Sequence, residues 1–391
     1  MIPADCATED QLDHCWRANL ANAADESEAF AGSTSERRHC NTWAGQRDGS
    51  NERPSGGFGV ASMRKRRSPR SFAAIQARWA VSACAALLLM QAPDAKAANG
   101  KVALTFDDLP ALSLFADQPY VNYLNTMLMR GLRRHRLPAI GFVNESKLDE
   151  INRPQQIAIL KAWLSAGMDL GNHTFSHESL NTLGAKGYIQ DIARGEPVTR
   201  GLLAKRGKPL RWFRHPYLET GSPESVRRDV DRWLSGHGYR TAPVTIDLND
   251  WQFAEPYDDA IARHDEPTRL RIKSQYLEYA ERTVAWYQSA SQVLFDRQIA
   301  FVMLLHATRL NADAIDDVAA ILHRRRLHGV TLDEAMKDRA YRIPDAYIGQ
   351  DGIDWMERWS QVLHRDLPWD SWQDPPAQIV SDYNRIDGDG R

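Results

Sequence analysis

The sequence predicts an α/β fold of parallel strands wrapped by helices, a barrel or a doubly wound sheet. Three observations carry that expectation. Short apolar runs alternate with amphipathic stretches through residues 98–330. Polar residues suited to chemistry follow the ends of the apolar runs. All four cysteines (Cys6, Cys15, Cys40, Cys84) precede this region, so its stability must come from a core rather than from disulfides.

The elements follow in order. Residues 102–106 (VALTF) read as a buried strand. Residues 120–134 carry Val121, Leu124, Leu128 and Leu132 at helical spacing and end in basic residues, as a helix C-terminus prefers. Residues 139–143 are strand-like. Residues 154–166 form a helix opened by Pro154 and stopped by Gly167. A short strand at 168–171 precedes a helix over 188–205. A strand at 210–213, a helix from Ser222 to His237 and a strand at 240–246 come next. Residues 265–297 read as one or two long helices. Residues 299–305 (IAFVMLL) are the clearest strand, and 312–328 the last long helix of this region. No internal repeat of fixed period is visible.

The N-terminal quarter has a different character. Residues 1–62 are polar and sustain neither a helical nor a strand period, so they read as a disordered upstream extension or a mis-assigned start. A basic head (Arg64, Lys65, Arg66, Arg67) then precedes the apolar run WAVSACAALLLM. Ala95-Lys96-Ala97 offers a small-x-small cleavage site. The run is too short for a membrane-spanning helix, which needs roughly 20 apolar residues. Residues 63–97 are therefore read as a signal peptide, with a lipoprotein anchored at Cys84 disfavoured because little of the apolar run precedes that cysteine. This reading places the mature protein in the periplasm or outside the cell, with no stable membrane span after cleavage. The whole chain has a formal net charge of −2. No strong positive field is set up, which argues against a nucleic-acid partner.

Asp107 and Asp108 follow the first strand, and His173 and His177 follow the strand ending at Gly171. Arg214 follows Phe213, Asp247 and Asp250 follow Ile246, and His306 follows Leu305. Loops at the carboxyl ends of barrel strands converge on one mouth, so these residues are expected to share a site. Each alone has an ordinary structural reading, as a turn acid, a surface histidine or an ion-pair arginine. Their common placement at strand ends is what favours a site. Two imidazoles and one carboxylate are a usual protein contribution to a catalytic zinc. An adjacent carboxylate suits a general base, and a separate histidine suits a general acid. Together they suggest metal-assisted hydrolysis of an acyl group, an amide or an ester.

Five segments in this order resemble the motifs of the NodB-type polysaccharide deacetylases, carbohydrate esterase family four. They are TFDD at 105–108, HTFSH at 173–177, RHPY at 214–217, DLNDW at 247–251 and LLH at 304–306. The resemblance spans about 101–330 and implies a distorted (β/α) barrel of seven or eight strands. It implies Asp107 as catalytic base, and Asp108, His173 and His177 as metal ligands. Arg214 would orient the base, and the backbone N–H of Tyr217 would meet the tetrahedral oxyanion. Asp250 would hold and tune the acid His306, Trp251 would pack beside it, and Leu304 would line the acetyl pocket. The implied cofactor is a divalent metal, zinc by default, with cobalt, nickel or manganese as alternatives. The implied substrate is an N-acetylated glycan. Alternatives are an O-acetyl esterase or deformylase on the same site, and a glycan-binding pseudoenzyme.

The sequence also departs from that pattern. Leu109 stands where the family usually has glycine after TFDD, and is expected to narrow the mouth. Leu218 replaces the glycine usual after the third motif. The stretch 252–297 exceeds the family minimum and is expected to cap one side of the cleft. Residues 331–391 are expected to be a helical tail packed on the barrel with a frayed end after Val380, its tryptophans (Trp355, Trp359, Trp369, Trp372) serving in packing.

Overall fold

The structure, a computed structural model, describes residues 100–388. The expected extension 1–62 and the expected signal segment 63–97 lie outside the described residues. Eight parallel strands form one sheet in the order β5-β4-β3-β2-β1-β7-β6, with β8 also against β1. The architecture is a distorted (β/α) barrel.

The central strand β1 (Gly100–Leu109) is buried over its last eight residues, as its continuous apolar run requires. One edge pairs with β7 (Ala300–His306), from Lys101 opposite Ala300 to Asp107 opposite His306. The other edge takes β8 (Leu327–Gly329) near its start and β2 (Ala139–Val143) beyond it. Strands β3 (Asp169–Asn172), β4 (Trp212–Phe213) and β5 (Arg240–Thr241) continue outward, and β6 (Ile246–Asp247) lies beyond β7. The helices α1 (Gln118–Arg134), α2 (Arg153–Ser165) and α5 (Glu224–Gly236) follow β1, β2 and β4. The capping is read easily: Asp117, Asn152 and Thr308 each accept a backbone N–H of the first turn that follows.

Three expectations are corrected. The helix expected over 188–205 is two helices, α3 (Leu180–Arg194) and α4 (Pro197–Ala204), because Pro197 lacks the N–H that would continue the first and opens the second instead. The strand expected over 240–246 is split into β5 and β6, on opposite ends of the sheet order. Pro243 has no N–H for a ladder, and the chain crosses the barrel seam there. The helix expected to reach His328 is α8 (Arg309–Arg324), and β8 takes up the following residues.

The seam between β5 and β6 is not left open. From inside the barrel, Arg214 Nε donates to Ala242 O at 3.0 Å and Nη2 donates to Pro243 O at 3.3 Å. From outside, the backbone N–H of Trp355 donates to Val244 O at 2.8 Å. Three successive carbonyls of a non-sheet segment are thereby satisfied, as buried backbone must be.

Residues 252–297 do not stand over the cleft as a separate cap. They supply most of α6 (Asp250–Ala262) and the 30-residue α7 (Glu266–Phe295). Ile272, Tyr276, Tyr279, Val284 and Tyr287 of α7 are buried, so it forms a structural wall. Beyond β8, the short α9 (Leu332–Ala335) leads to α10 (Trp355–Leu363), whose Trp355 and Trp359 are buried. Trp369 and Trp372 gather on Trp286, with ring centroids 5.1 and 4.8 Å away. The segment after Val380 does not fray there: it continues as α11 (Ala377–Gly388), with Ile379, Tyr383 and Ile386 buried.

Asp258 of α6 ties down the loop that leaves β1. It accepts hydrogen bonds from Ser113 Oγ (2.8 Å), the Leu114 N–H (3.1 Å) and Tyr120 Oη. Burial pushes its carboxyl up to about 6, against these three donors. An unfolded aspartate releases its proton near pH ~4. The contribution of Asp258 to folding is therefore fully present below that pH and is lost as pH rises through about 6. Asp258→Asn should remove this dependence. Urea unfolding at pH 4 and pH 7.5 should show the stability gap between variant and wild type shifting in the variant's favour by roughly 2–3 kcal/mol at the higher pH. A gap that is the same at both pH values would contradict it.

Candidate active site

The strand ends bring the site together. A register shift in β1 between Phe106 and Leu109 puts Asp108 at φ 65°, so the two neighbouring aspartates point differently. Leu109 does not narrow the mouth. It is fully buried and packs on Gly141 of β2, where any Cβ would meet its side chain at 2.4 Å. The glycine that this chain needs is across the sheet from Leu109.

Asp108, His173 and His177 each offer one ligand atom, and these atoms all lie within 4.8 Å of one another. Asp108 Oδ1 is 3.6 Å from His177 Nε2 and 3.9 Å from His173 Nε2. That oxygen is buried and has no hydrogen-bond partner among the described residues. His173 Nδ1 is 2.8 Å from Arg214 O. A donated N–H there leaves Nε2 with its lone pair toward Asp108, the arrangement that metal-binding imidazoles adopt. Asn144 donates to His173 O and holds the same loop from behind. Burial, opposed by the charge of Asp108, pulls both histidines down to about 4, so both are neutral at pH 7. Burial acts to raise Asp108, but Lys147, His177 and His173 together hold it well below the usual carboxylate range. An orphaned carboxylate oxygen facing two neutral imidazoles is a donor set that fits a divalent cation such as zinc.

Asp107 faces a different partner. Arg214, 0% exposed, reaches it with Nη1 at 3.2 Å from Oδ2, and its Nη2 donates to Thr105 Oγ1 at 3.1 Å. Burial raises the Asp107 carboxyl above its ordinary value even against Arg214. Asp107 Oδ2 is 3.7 Å from His173 Nε2, so it borders the ligand cluster.

Across the mouth, His306 Nδ1 is 2.8 Å from Asp250 Oδ1, and the His306 N–H donates to Asp250 Oδ2 at 2.7 Å. Asp250 is fully buried at the start of α6, where Asn311 Nδ2 also donates to it. Tyr276 of α7 donates to Asn311 Oδ1 at 2.8 Å and fixes that amide. Burial would lower His306, but Asp250 first, then Asp108 and Asp107, outweigh it and raise the ring to about 9. An imidazolium at neutral pH can donate a proton.

Tyr217 and Leu218 sit at φ 55° and 57°. Two successive left-handed residues without glycine cost about 1–2 kcal/mol each and persist only when their surroundings hold them. The Tyr217 ring is 39% exposed and meets the edge of His177 at 4.7 Å. Leu218, Val244 and Leu304 form a small separate apolar cluster. Trp251, next to Asp250, also meets the ring of Tyr383 of α11 at 4.9 Å. His215 is buried and stacked on Tyr188, with its Nδ1 3.1 Å from the hydroxyl.

Sequence reasoning missed Lys147, whose Nζ lies 3.7 Å from Asp108 Oδ1 and donates to Ala111 O. It also missed Thr105 and Asn311 as the groups that fix Arg214 and Asp250. Thr105 stood inside a recognised motif and was readable. Lys147 and Asn311 carry no spacing signal.

A parallel α/β barrel that gathers two imidazoles and a carboxylate at its strand ends, beside a second buried acid, defines a barrel protein with a metal-type site in its mouth. Within that class, the chain matches the family model for polysaccharide deacetylase over residues 94–241. It is 27% identical over 157 residues to a chitin deacetylase of Colletotrichum lindemuthianum, covering 40% of this chain and 55% of that protein. It is 23% identical over 154 residues to a peptidoglycan-N-acetylglucosamine deacetylase of Bacillus cereus, covering 39% and 47%. The chain spans about half the length of these curated relatives. The solved chitin deacetylase of C. lindemuthianum aligns with a TM-score of 0.44 at 22% identity, over 64% of this chain and 92% of that one. Among the described residues, no helix is long and apolar enough to cross a membrane.

Proposed function

We propose that this protein is a metal-dependent hydrolase that removes N-acetyl groups from amino-sugar residues of a polysaccharide or oligosaccharide. The observation that carries the reading is the unpartnered buried oxygen of Asp108 facing His173 and His177, beside the separate Asp107–Arg214 pair. Asp108, His173 and His177 would hold the metal, zinc by default. The metal would supply Lewis acidity, making water nucleophilic near neutral pH and polarising the acetyl carbonyl.

The chain's own groups do the rest. Asp107 takes the proton from the attacking water, and Arg214 keeps its carboxylate aimed. The backbone N–H of Tyr217 meets the oxygen that becomes negative when the carbonyl carbon turns tetrahedral. Leu304, with Leu218 and Val244, packs around the acetyl methyl. His306, held by Asp250, protonates the sugar nitrogen as the C–N bond breaks, and acetate and a free amine leave. Trp251 supports this corner through Tyr383. The signal segment read at 63–97 supports a periplasmic or secreted location.

The test is acetate release from N-acetylglucosamine oligomers by the purified mature protein with added zinc. Formate release and O-acetyl ester cleavage are assayed in parallel, and a preference for either would replace the N-acetyl reading. Glycan binding with neither metal uptake nor hydrolysis would mark a pseudoenzyme. Asp250→Asn bears on the acid. Without the carboxylate, His306 loses its main stabilising charge, so the alkaline limb of the kcat profile should move to lower pH and kcat at pH 8 should fall about 10²-fold. A profile that keeps its alkaline limb in place would remove His306 from the acid role.

A further inference from the structure

The left-handed turn at Tyr217–Leu218 is held from outside the matched domain. We infer that the C-terminal segment 345–358 is a clamp on this turn, and that Arg358 is a positioning residue for turnover. The inference rests on the reading of the Tyr217 N–H as the oxyanion donor.

Arg358 belongs to α10 and is 1% exposed. Its Nη2 donates to Leu218 O at 2.8 Å, and its Nη1 donates to Thr220 Oγ1 at 3.2 Å. The guanidinium is itself fixed. Nε donates to Ile353 O at 2.9 Å, Nη1 meets Asp345 Oδ2 at 2.8 Å, and the Trp355 ring lies 4.1 Å beneath. Arg227 of α5 also reaches Asp345, at 3.1 Å, so the segment is anchored to the element that follows the turn. A second contact acts one residue earlier. The backbone of Gly352 lies on the carbonyl of Tyr217, so closely that a Cβ at 352 would fall 1.5 Å from that oxygen.

The two contacts grip successive carbonyls of the two left-handed residues. The Tyr217 carbonyl lies in the Tyr217–Leu218 peptide plane and the Leu218 carbonyl in the next, so turning the first drives its oxygen into Gly352 and turning the second swings its oxygen off a rigid planar donor fork. The Tyr217 N–H lies in the preceding Pro216–Tyr217 plane, hinged to these at the Tyr217 φ and ψ, so holding the two carbonyls narrows the directions that this N–H can take. A lysine at 358 keeps the charge but presents a single ammonium on a flexible stem, so it cannot hold Leu218 O and Thr220 Oγ1 together.

Arg358→Lys and Gly352→Ala test the clamp in the full mature chain with N-acetylglucosamine oligomers and zinc. Both should lower kcat about tenfold to hundredfold, because small misplacement of a transition-state donor costs rate rather than affinity. KM should stay within about twofold, and zinc affinity by titration calorimetry should not change, since Asp108, His173 and His177 sit on other loops. Amide hydrogen exchange should quicken at 216–220 and stay as in wild type at 105–109 and 172–177. Unchanged kcat with unchanged exchange at 216–220 would overturn the clamp, and so would rate loss accompanied by weaker zinc binding and faster exchange throughout. If the wild-type protein releases no acetate, the deacetylase reading falls, and exchange at 216–220 alone decides whether the clamp exists.

Discussion

Asp107→Asn should keep its zinc and lose 10²–10⁴-fold in kcat/KM, the range that a lost general base costs. Two aspartates adjacent in sequence face different chemistry here, and the variant separates them. Asp107 is paired with Arg214, whereas the free oxygen of Asp108 faces the two imidazoles. Asparagine keeps one oxygen for Arg214 but cannot take a proton. Arg214 retains Thr105 Oγ1 and the carbonyls of Ala242 and Pro243, so the fold should survive with reduced stability. Metal analysis beside acetate release reads both quantities. Full metal content with full activity would remove Asp107 from the base role.

His177→Ala should weaken zinc binding by at least ~100-fold, since even the outer partners of metal ligands are worth 10–100-fold. Turnover should fall with it. The alanine leaves Asp108 Oδ1 facing one imidazole, 3.9 Å away, with Lys147 close by at 3.7 Å. Calorimetric titration of the metal-stripped variant checks this. Wild-type affinity would show that the ion binds elsewhere, and the ligand assignment would fall. His177 also meets the Tyr217 ring, so its removal should loosen the mouth locally without touching β1 or β7.

Much of this site was legible in the linear chain because its parts are local. The runs VALTF and IAFVMLL are apolar without interruption, which a strand buried on both faces requires, and both lie in the centre of the sheet. Each strand carries its polar residue at or just beyond its carboxyl end, so Asp107, His173, Arg214, Asp250 and His306 could be placed at one end of the barrel from order alone. What escaped depends on contacts between distant positions. Lys147 meets Asp108 through the loop after β2, and Asn311 meets Asp250 through the first turn of α8. No periodicity marks either. Arg358 lies 140 positions from the carbonyl it holds. The polar sequence after Val380 disguised a helix, because only Ile379, Tyr383 and Ile386 are needed to seat it. Tyr383, whose ring meets Trp251, comes from this helix, so that pairing was not visible in the linear chain.

Arg214 does two jobs with one side chain. Its Nη1 serves the carboxylate of Asp107, while Nε and Nη2 stitch the carbonyls where the circle of strands would otherwise gape. Reactivity and closure of the barrel are thus joined in a single planar group. A lysine there would have to abandon one duty to perform the other, so a library screened at position 214 for altered pH response would return misfolded variants as readily as retuned ones. Retuning of Asp107, the proposed base, belongs instead at Thr105, which accepts from Nη2 of the same guanidinium and can be changed while Nε keeps its seam carbonyl.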